Sequence, residues 1–333
     1  SRGLGDVYKR QVSSMRAPTL RPAWRFPFVM VTLLALSLIN GNAADPPQPE
    51  PAPPTFKDVR YGPYERNLLD LYKANRKNPT PVLIRIHGGG WMGGDKSPYD
   101  ATPYLEMGIS VVSINYRLIN KKRDKDAAHY PAPMQDCARA VQFVRSQAQE
   151  WNLDPNRVAL TGGSAGAVNC MWIAYHDDMA DPDSEDPVLR QSTRVTCLVP
   201  EAGPTTFDPD LVLSRVGGPK EIHACYPLMF GVKTLAELKQ PDVAKQVKDA
   251  SPLNLVSSDD PPSYLNYPTP LGGTPLPEDT NVMWSIHHAE FGAMIKEKLD
   301  AAGVESVLQV VGDGKPKHAK LKFLKKHLHP DDQ

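Results

Sequence analysis

Short apolar runs bounded by turn residues alternate with longer amphipathic stretches through most of this chain. Residues 68–72, 82–86, 111–115, 157–160, 195–199, 264–267 and 306–311 are β-branched or apolar and too short for stable helices. They are therefore predicted as strands. Between them, residues 133–150 place Cys137, Val141, Val144 and Ala148 on one helical stripe. Residues 289–302 do the same with Phe291, Met294, Ile295 and Leu299 and stop at Gly303, and a last helix is predicted over 319–328. Strand and helix in alternation predict an α/β fold, with a mainly parallel central sheet flanked by helices. Two stretches break the rhythm. Residues 176–192 are acidic and loop-like, and residues 208–257 set mixed helical segments between two strands. The second stretch, taken broadly as 205–257, reads either as a small cap insertion over the carboxyl ends of the strands, where open α/β sheets bind ligands, or as surface decoration.

The N-terminus follows different rules. Residues 1–14 carry no structural pattern and are read as a non-native leader, with Met15 as the natural start. Arg16, Arg21 and Arg25 then precede an apolar stretch over 26–39 and the small residues Gly41, Ala43 and Ala44. That order predicts a signal peptide over 15–44, cleaved after Ala43 or Ala44, and hence a secreted or periplasmic protein. A retained anchor is the rival reading, but the fourteen-residue apolar stretch falls short of the ~20 residues that a membrane span needs. Residues 45–54 contain six prolines and are predicted as an extended tether, so the folded domain is expected over 55–330.

Charge adds one exclusion. The whole chain balances 38 basic against 38 acidic groups, and residues 1–43 hold six of the former and one of the latter. The remainder is mildly acidic, which points away from nucleic acid as a partner. Four cysteines are present; Cys137 and Cys170 fall on apolar helical faces, and Cys197 with Cys225 is the one pair considered for a disulfide.

Candidate chemistry concentrates at two strand ends. Residues 157–160 run into Thr161-Gly-Gly-Ser-Ala-Gly166, a G-x-S-x-G pattern centred on Ser164. A serine hydroxyl is a poor nucleophile unless a sharp turn lifts it clear of the chain beside a base, and such a turn accepts only very small neighbours. Upstream, residues 81–86 run into His87-Gly-Gly-Gly-Trp91, whose backbone amides are suited to stabilising an oxyanion. No Gly-Lys-Ser/Thr ending makes that glycine run a phosphate cradle. No His-Glu-x-x-His, Cys-x-x-Cys or EF-hand spacing appears, so neither a metal nor another cofactor is expected. Asp95-Lys96 reads as a solvated surface pair, and Asp136 as a side chain fixing nearby backbone.

Together these motifs resemble the α/β-hydrolase superfamily, in particular the esterase branch with a His-Gly-Gly-Gly-Trp oxyanion loop. That branch includes feruloyl and acetylxylan esterase-like, hormone-sensitive-lipase-like and kynurenine formamidase-like proteins. Residues 114–118, 130–136 and 151–157 share in the likeness, which covers about 56–328. The resemblance implies Ser164 as nucleophile, with the amides of Gly89, Gly90 and Ala165 as oxyanion donors. Because the base comes last in the chain order of this superfamily, His318 is its expected position. His87 is read as a loop stabiliser, and His287 and His288 as residues opening a helix. The acid departs from the pattern: relatives place an Asp shortly after the strand, and here residues 268–277 hold no carboxylate. Asp279 is the first candidate, Glu278 the second, and Glu201 a separate site of delivery.

The implied activity is hydrolysis of a carboxylic ester through an acyl-enzyme on Ser164. Short-chain, acetyl or feruloyl esters are the expected substrates, free or on polysaccharide. A formamidase-type amidase is one alternative. A hydrolase fold kept as a binding protein is another, raised by the missing Asp.

Overall fold

The computed structural model describes residues 52–220, 225–316 and 318–329. The leader, the signal peptide and most of the Pro-rich tether therefore lie outside the described residues. One eight-stranded sheet organises the fold, in the order β1-β2-β4-β3-β5-β6-β7-β8. The strands are β1 (Phe56–Arg60), β2 (Leu68–Tyr72), β3 (Thr80–Ile86), β4 (Ser110–Ile114), β5 (Leu153–Gly163), β6 (Cys197–Glu201), β7 (Ser263–Asn266) and β8 (Ser306–Gln309). β1 pairs antiparallel with β2, and β2 with β4, while every pairing from β4 to β8 is parallel. Among the described residues the helices are α1 (Thr102–Glu106), α2 (Ala132–Ser146), α3 (Ala148–Trp151), α4 (Ala165–Tyr175), α5 (Pro209–Arg215), α6 (Cys225–Met229), α7 (Pro241–Ala250), α8 (Val282–Ile286), α9 (Ala289–Ala301) and α10 (Ala319–Leu328). None is long and apolar enough to cross a membrane.

The two-residue period of each strand divides the core into two layers. Val82, Ile84 and Ile86 of β3, with Val158 and Leu160 of β5, meet α2, α4 and α9 on one face. Leu83 and Ala159 point to the other face, where they meet Tyr104 of α1 and Phe323, Leu324 and Leu328 of α10. With both faces covered, the central strands read as continuous apolar runs, which is why they stand out in the sequence. β1 does not: three of its five residues are charged and four are exposed, Asp58 has φ 55°, and the register with β2 slips between Phe56 and Val59. The helix expected over 133–150 is divided at Gln147 into α2 and α3, and Asn152 closes α3 in the left-handed conformation.

Between β6 and β7 the chain forms α5, α6 and α7 before returning to the sheet. These helices bring Val212, Val216, Tyr226, Met229 and Val247 into the main apolar cluster. Asp208 opens α5 by accepting the amides of Asp210 and Leu211. All four cysteines are buried and none is in a disulfide, so Cys197 and Cys225 are not bridged.

Candidate active site

At the end of β5 the chain reverses through Ser164 into α4. Ser164 has φ 54° and ψ −119°, a conformation that costs a non-glycine residue about 1–3 kcal/mol. Two backbone bonds hold the turn: the Ser164 amide donates to Glu201 O at 2.8 Å, and the Val168 amide donates to Ser164 O at 3.1 Å. The flanking glycines are sterically required. A Cβ on Gly162 would lie 2.6 Å from Ile86 O, and one on Gly166 only 2.1 Å from the same oxygen. The elbow is thus wedged against the end of β3, and its hydroxyl is half-buried at the carboxyl edge of the sheet.

From that same edge, β3 leads into the glycine loop. A Cβ on Gly88 would stand 2.6 Å from Gly163 O and 3.4 Å from the Ser164 Cβ, so the loop lies directly on the elbow. Gly89 and Gly90 have φ of 104° and 59°, conformations open to glycine at little cost. Among the described residues the amides of Gly89, Gly90 and Ala165 donate no hydrogen bond. Buried side chains anchor the loop. Trp91 donates from Nε1 to Asn169 Oδ1 at 2.9 Å, and its carbonyl accepts the Ile119 amide at 2.9 Å. His87 stacks on Tyr116 at 4.3 Å, with Nδ1 2.7 Å from Gly88 O and Nε2 3.3 Å from Arg66 Nη2. One ring nitrogen faces a carbonyl and the other a guanidinium donor, which suits only the neutral imidazole. Burial is the main cause that lowers the His87 pKa to about 3. His87 therefore braces the loop, as its position beside the glycines implied.

The imidazole beside Ser164 is that of His287: Nε2 lies 2.9 Å from Ser164 Oγ. This corrects the expectation for His318, which is exposed at the start of α10, on a helix whose Lys320 pairs with Glu201 at 2.7 Å. His287 sits between α8 and α9, ahead of the last strand rather than after it. Its Nδ1 is 2.8 Å from Met283 O, one turn back. A carbonyl only accepts, so Nδ1 carries the proton and Nε2 offers its lone pair to the Ser164 hydroxyl. His288, next in the chain, turns the other way and caps α9 by accepting the Glu290 amide at 3.2 Å. The Ala289 amide donates to Thr269 Oγ1 at 2.7 Å, tying this junction to the end of β7.

The three acid candidates do not converge on this pair. Glu278 forms an exposed ion pair with Lys220 at 2.7 Å, Asp279 is exposed, and Glu201 turns to Lys320. None of the three is hydrogen-bonded to the His287 ring among the described residues. Glu201 does contribute to the elbow, but through its carbonyl rather than its carboxylate. Asp95-Lys96 also departs from the surface-pair reading. Lys96 is buried, with Nζ 2.8 Å from both Asp70 carboxylate oxygens and 2.7 Å from Asp58 Oδ1, and it fastens the first strands together. Asp136 fixes backbone as expected, accepting the Arg117 amide at 2.9 Å while also pairing with the Arg117 guanidinium. Among the described residues, no group of three or more His, Cys, Asp or Glu is arranged to hold a metal.

A serine at a strained strand-to-helix elbow, an imidazole on its hydroxyl and a glycine loop at the neighbouring strand end, all on a mostly parallel eight-stranded sheet, define an α/β hydrolase. Within that class the chain belongs to the BD-FAE family, whose profile matches residues 69–267, more than half of its length. Over 218 residues it is 32% identical to the probable carboxylic ester hydrolase LipM of Mycobacterium tuberculosis, covering 62% of this chain and 46% of that protein. Esterase LipQ of the same organism is 30% identical over 216 residues, covering 62% and 47%. The chain thus spans about half the length of these curated relatives. Among solved structures, a truncated carbohydrate esterase from gut microbiota superposes with a TM-score of 0.63 at 21% identity, covering 83% of this chain and 98% of that one. An acetyl ester-xyloside bifunctional hydrolase from Caldicellulosiruptor lactoaceticus gives 0.57 at 23% identity, covering 80% and 85%. At such identities these structures establish the shared fold.

Proposed function

We propose that this protein is a serine-type carboxylic ester hydrolase. The observation that carries the reading is the 2.9 Å contact between His287 Nε2 and Ser164 Oγ, with the tautomer fixed by the Met283 carbonyl. Ser164 Oγ attacks the acyl carbon while Nε2 takes the hydroxyl proton. Negative charge gathers on the former carbonyl oxygen, where the amides of Gly89, Gly90 and Ala165 stabilise it. The tetrahedral adduct collapses, the alkoxide leaves with the proton from Nε2, and an acyl-serine remains. Water then repeats the sequence: Nε2 removes its proton, the acyl–oxygen bond breaks, and the acid and free Ser164 are released.

Short acyl groups, acetyl above all, on aryl or carbohydrate alcohols are the proposed substrates. The carbohydrate and acetyl esterases among the structural neighbours support that choice, as does the order of basic, apolar and small residues over 15–44, read as an export signal. The test is hydrolysis of 4-nitrophenyl acetate, butyrate and octanoate and of acetylated and feruloylated xylan, run with Ser164→Ala in parallel. Turnover that falls with acyl length and vanishes in the variant, together with fluorophosphonate labelling of Ser164, is expected. Equal turnover by Ser164→Ala, or no turnover and no labelling in the parent protein, would overturn the reading. Faster cleavage of the matching 4-nitroanilide would shift it to an amidase. Intact mass of the exported chain checks the signal peptide, with a new N-terminus at Ala44 or Asp45 expected.

A further inference from the structure

Residues 216–218, directly after α5, lie against the chain that leads to His287. Val216 is fully buried in the main core and is therefore a fixed point. Beside it, the loop after β7 returns through Leu276, whose amide donates to Val216 O at 2.8 Å, while the Gly218 amide donates to Leu276 O at 2.9 Å. Gly217 and Leu276 form an isolated parallel bridge. Lys220 reaches Glu278 at 2.7 Å, and Arg215 at the end of α5 bonds Glu290 of α9 at 2.8 Å. The closest approach is at Gly218, where φ is 94° and an added Cβ would stand 2.3 Å from Ser285 Oγ and 2.9 Å from its Cβ. Ser285 lies on α8, two residues before His287.

We propose that residues 216–218 are a positioning element for the base, holding the loop at Leu276 and seating α8 at Ser285 so that the His287 ring meets Ser164. The far side of the histidine is already secured, by the His288 cap and by the bond from Ala289 to Thr269. The near side is a loop of prolines and glycines, exposed from 270 to 273, whose own support is local: the Thr280 amide donates to Pro277 O at 3.0 Å and Asn281 caps α8 by accepting the Met283 amide at 2.8 Å. Contact with 216–218 adds a tie to the core through buried Val216, and it requires glycine at 218 both for its backbone and for the space under Ser285. The ion pair at Lys220 is exposed on both partners and adds little.

This inference rests on the proposed hydrolase reading, and its test separates the two. Gly218→Ala inserts a methyl group under Ser285. Gly272→Ala is the control: it imposes a similar positive-φ strain, at 88°, in the loop after β7 with nothing within 4 Å. Gly218→Ala/Ser285→Gly returns the space while keeping the alanine. With 4-nitrophenyl acetate, kcat of Gly218→Ala is expected to fall about 10- to 100-fold, since misplacement by about 1 Å has effects of that size. KM should stay within about threefold, because the elbow and the amide donors are untouched. Gly272→Ala should keep kcat, and the double variant should recover most of what was lost. Melting curves and fluorophosphonate labelling confirm folding and an accessible Ser164. If Gly218→Ala turns over like Gly272→Ala, or if the second substitution restores nothing, the positioning role is wrong while hydrolysis through Ser164 stands. If Ser164→Ala is as active as the parent protein, the hydrolase reading itself fails.

Discussion

The two halves of the candidate site are built in opposite ways. The serine half is made of strand ends: Ile86 and Gly162 are paired in the sheet, and the turn between Gly163 and Ala165 follows from that register. The histidine half hangs on a long connection rich in Pro and Gly after β7, and contacts with α5 and with the chain after it hold that connection in place. The first half is rigid because main-chain atoms approach too closely for any side chain. The second rests on one short main-chain bridge, Val216 and Gly218 with Leu276, and on one close approach, Gly218 against Ser285. The elbow is thus held by the sheet itself, and the proposed base by a separate connection outside it.

The sharpest way to break this comparison is to remove the imidazole. His287→Ala is expected to lower kcat on 4-nitrophenyl acetate by about 10⁴- to 10⁶-fold, the range seen when single members of a serine triad are deleted. His318→Ala should stay within about threefold of the parent, since its ring is exposed. Reversal of that order would return the base to the C-terminal helix.

Rigidity of the serine half is tested by stability. Gly166→Ala sets a Cβ 2.1 Å from Ile86 O and should cost about 1–3 kcal/mol or more in urea unfolding. At Gly163 the nearest atom to an added Cβ is 4.0 Å away, so Gly163→Ala should cost less than about 1 kcal/mol. Equal costs would mean that the wedge against β3 is not what fixes the elbow.

The brace at His87 has a pH signature. Its ring is neutral in the folded protein, with a pKa near 3, whereas the unfolded chain titrates near 6.5. Between those values the unfolded state binds more protons, so stability rises with pH across the window and is lost as pH falls from about 6.5 towards 3. Up to about 1.4 kcal/mol per pH unit is attributable to this one ring. Urea unfolding at pH 7.0, 5.5 and 4.5 should show a shallower loss in His87→Asn. At the small end, Lys220→Ala should leave both the urea midpoint and kcat unaltered, because its partner is equally solvated.

How much of this was legible in the sequence follows the same division. Strand ends announce themselves: β3 and β5 are apolar because both faces are covered, and the glycines after them are set by backbone distances. β1 was missed because an exposed, largely charged edge strand carries no burial pattern. His287 was missed because chain order favours a histidine after the last strand, and because two histidines before a helix read as solvated caps. Only His288 caps. The signal against a solvated start was nearby: Met283, Trp284 and Ile286 give the pair an apolar setting, and both rings are buried. The position of Ser285 under Gly218 had no sequence signature, since it depends on segments more than sixty residues apart.

The four cysteines turn the core into its own reporter. Each thiol is enclosed, and burial raises the pKa of all four, Cys197 and Cys225 to about 12. A thiol-specific reagent has no thiolate to attack while the protein is closed, so the pace of modification follows transient opening of each sulfur's surroundings. Cys170 lies on the helix that begins at the elbow and Cys225 opens α6, so mapping which sulfur reacts first would rank how readily each of those helices opens.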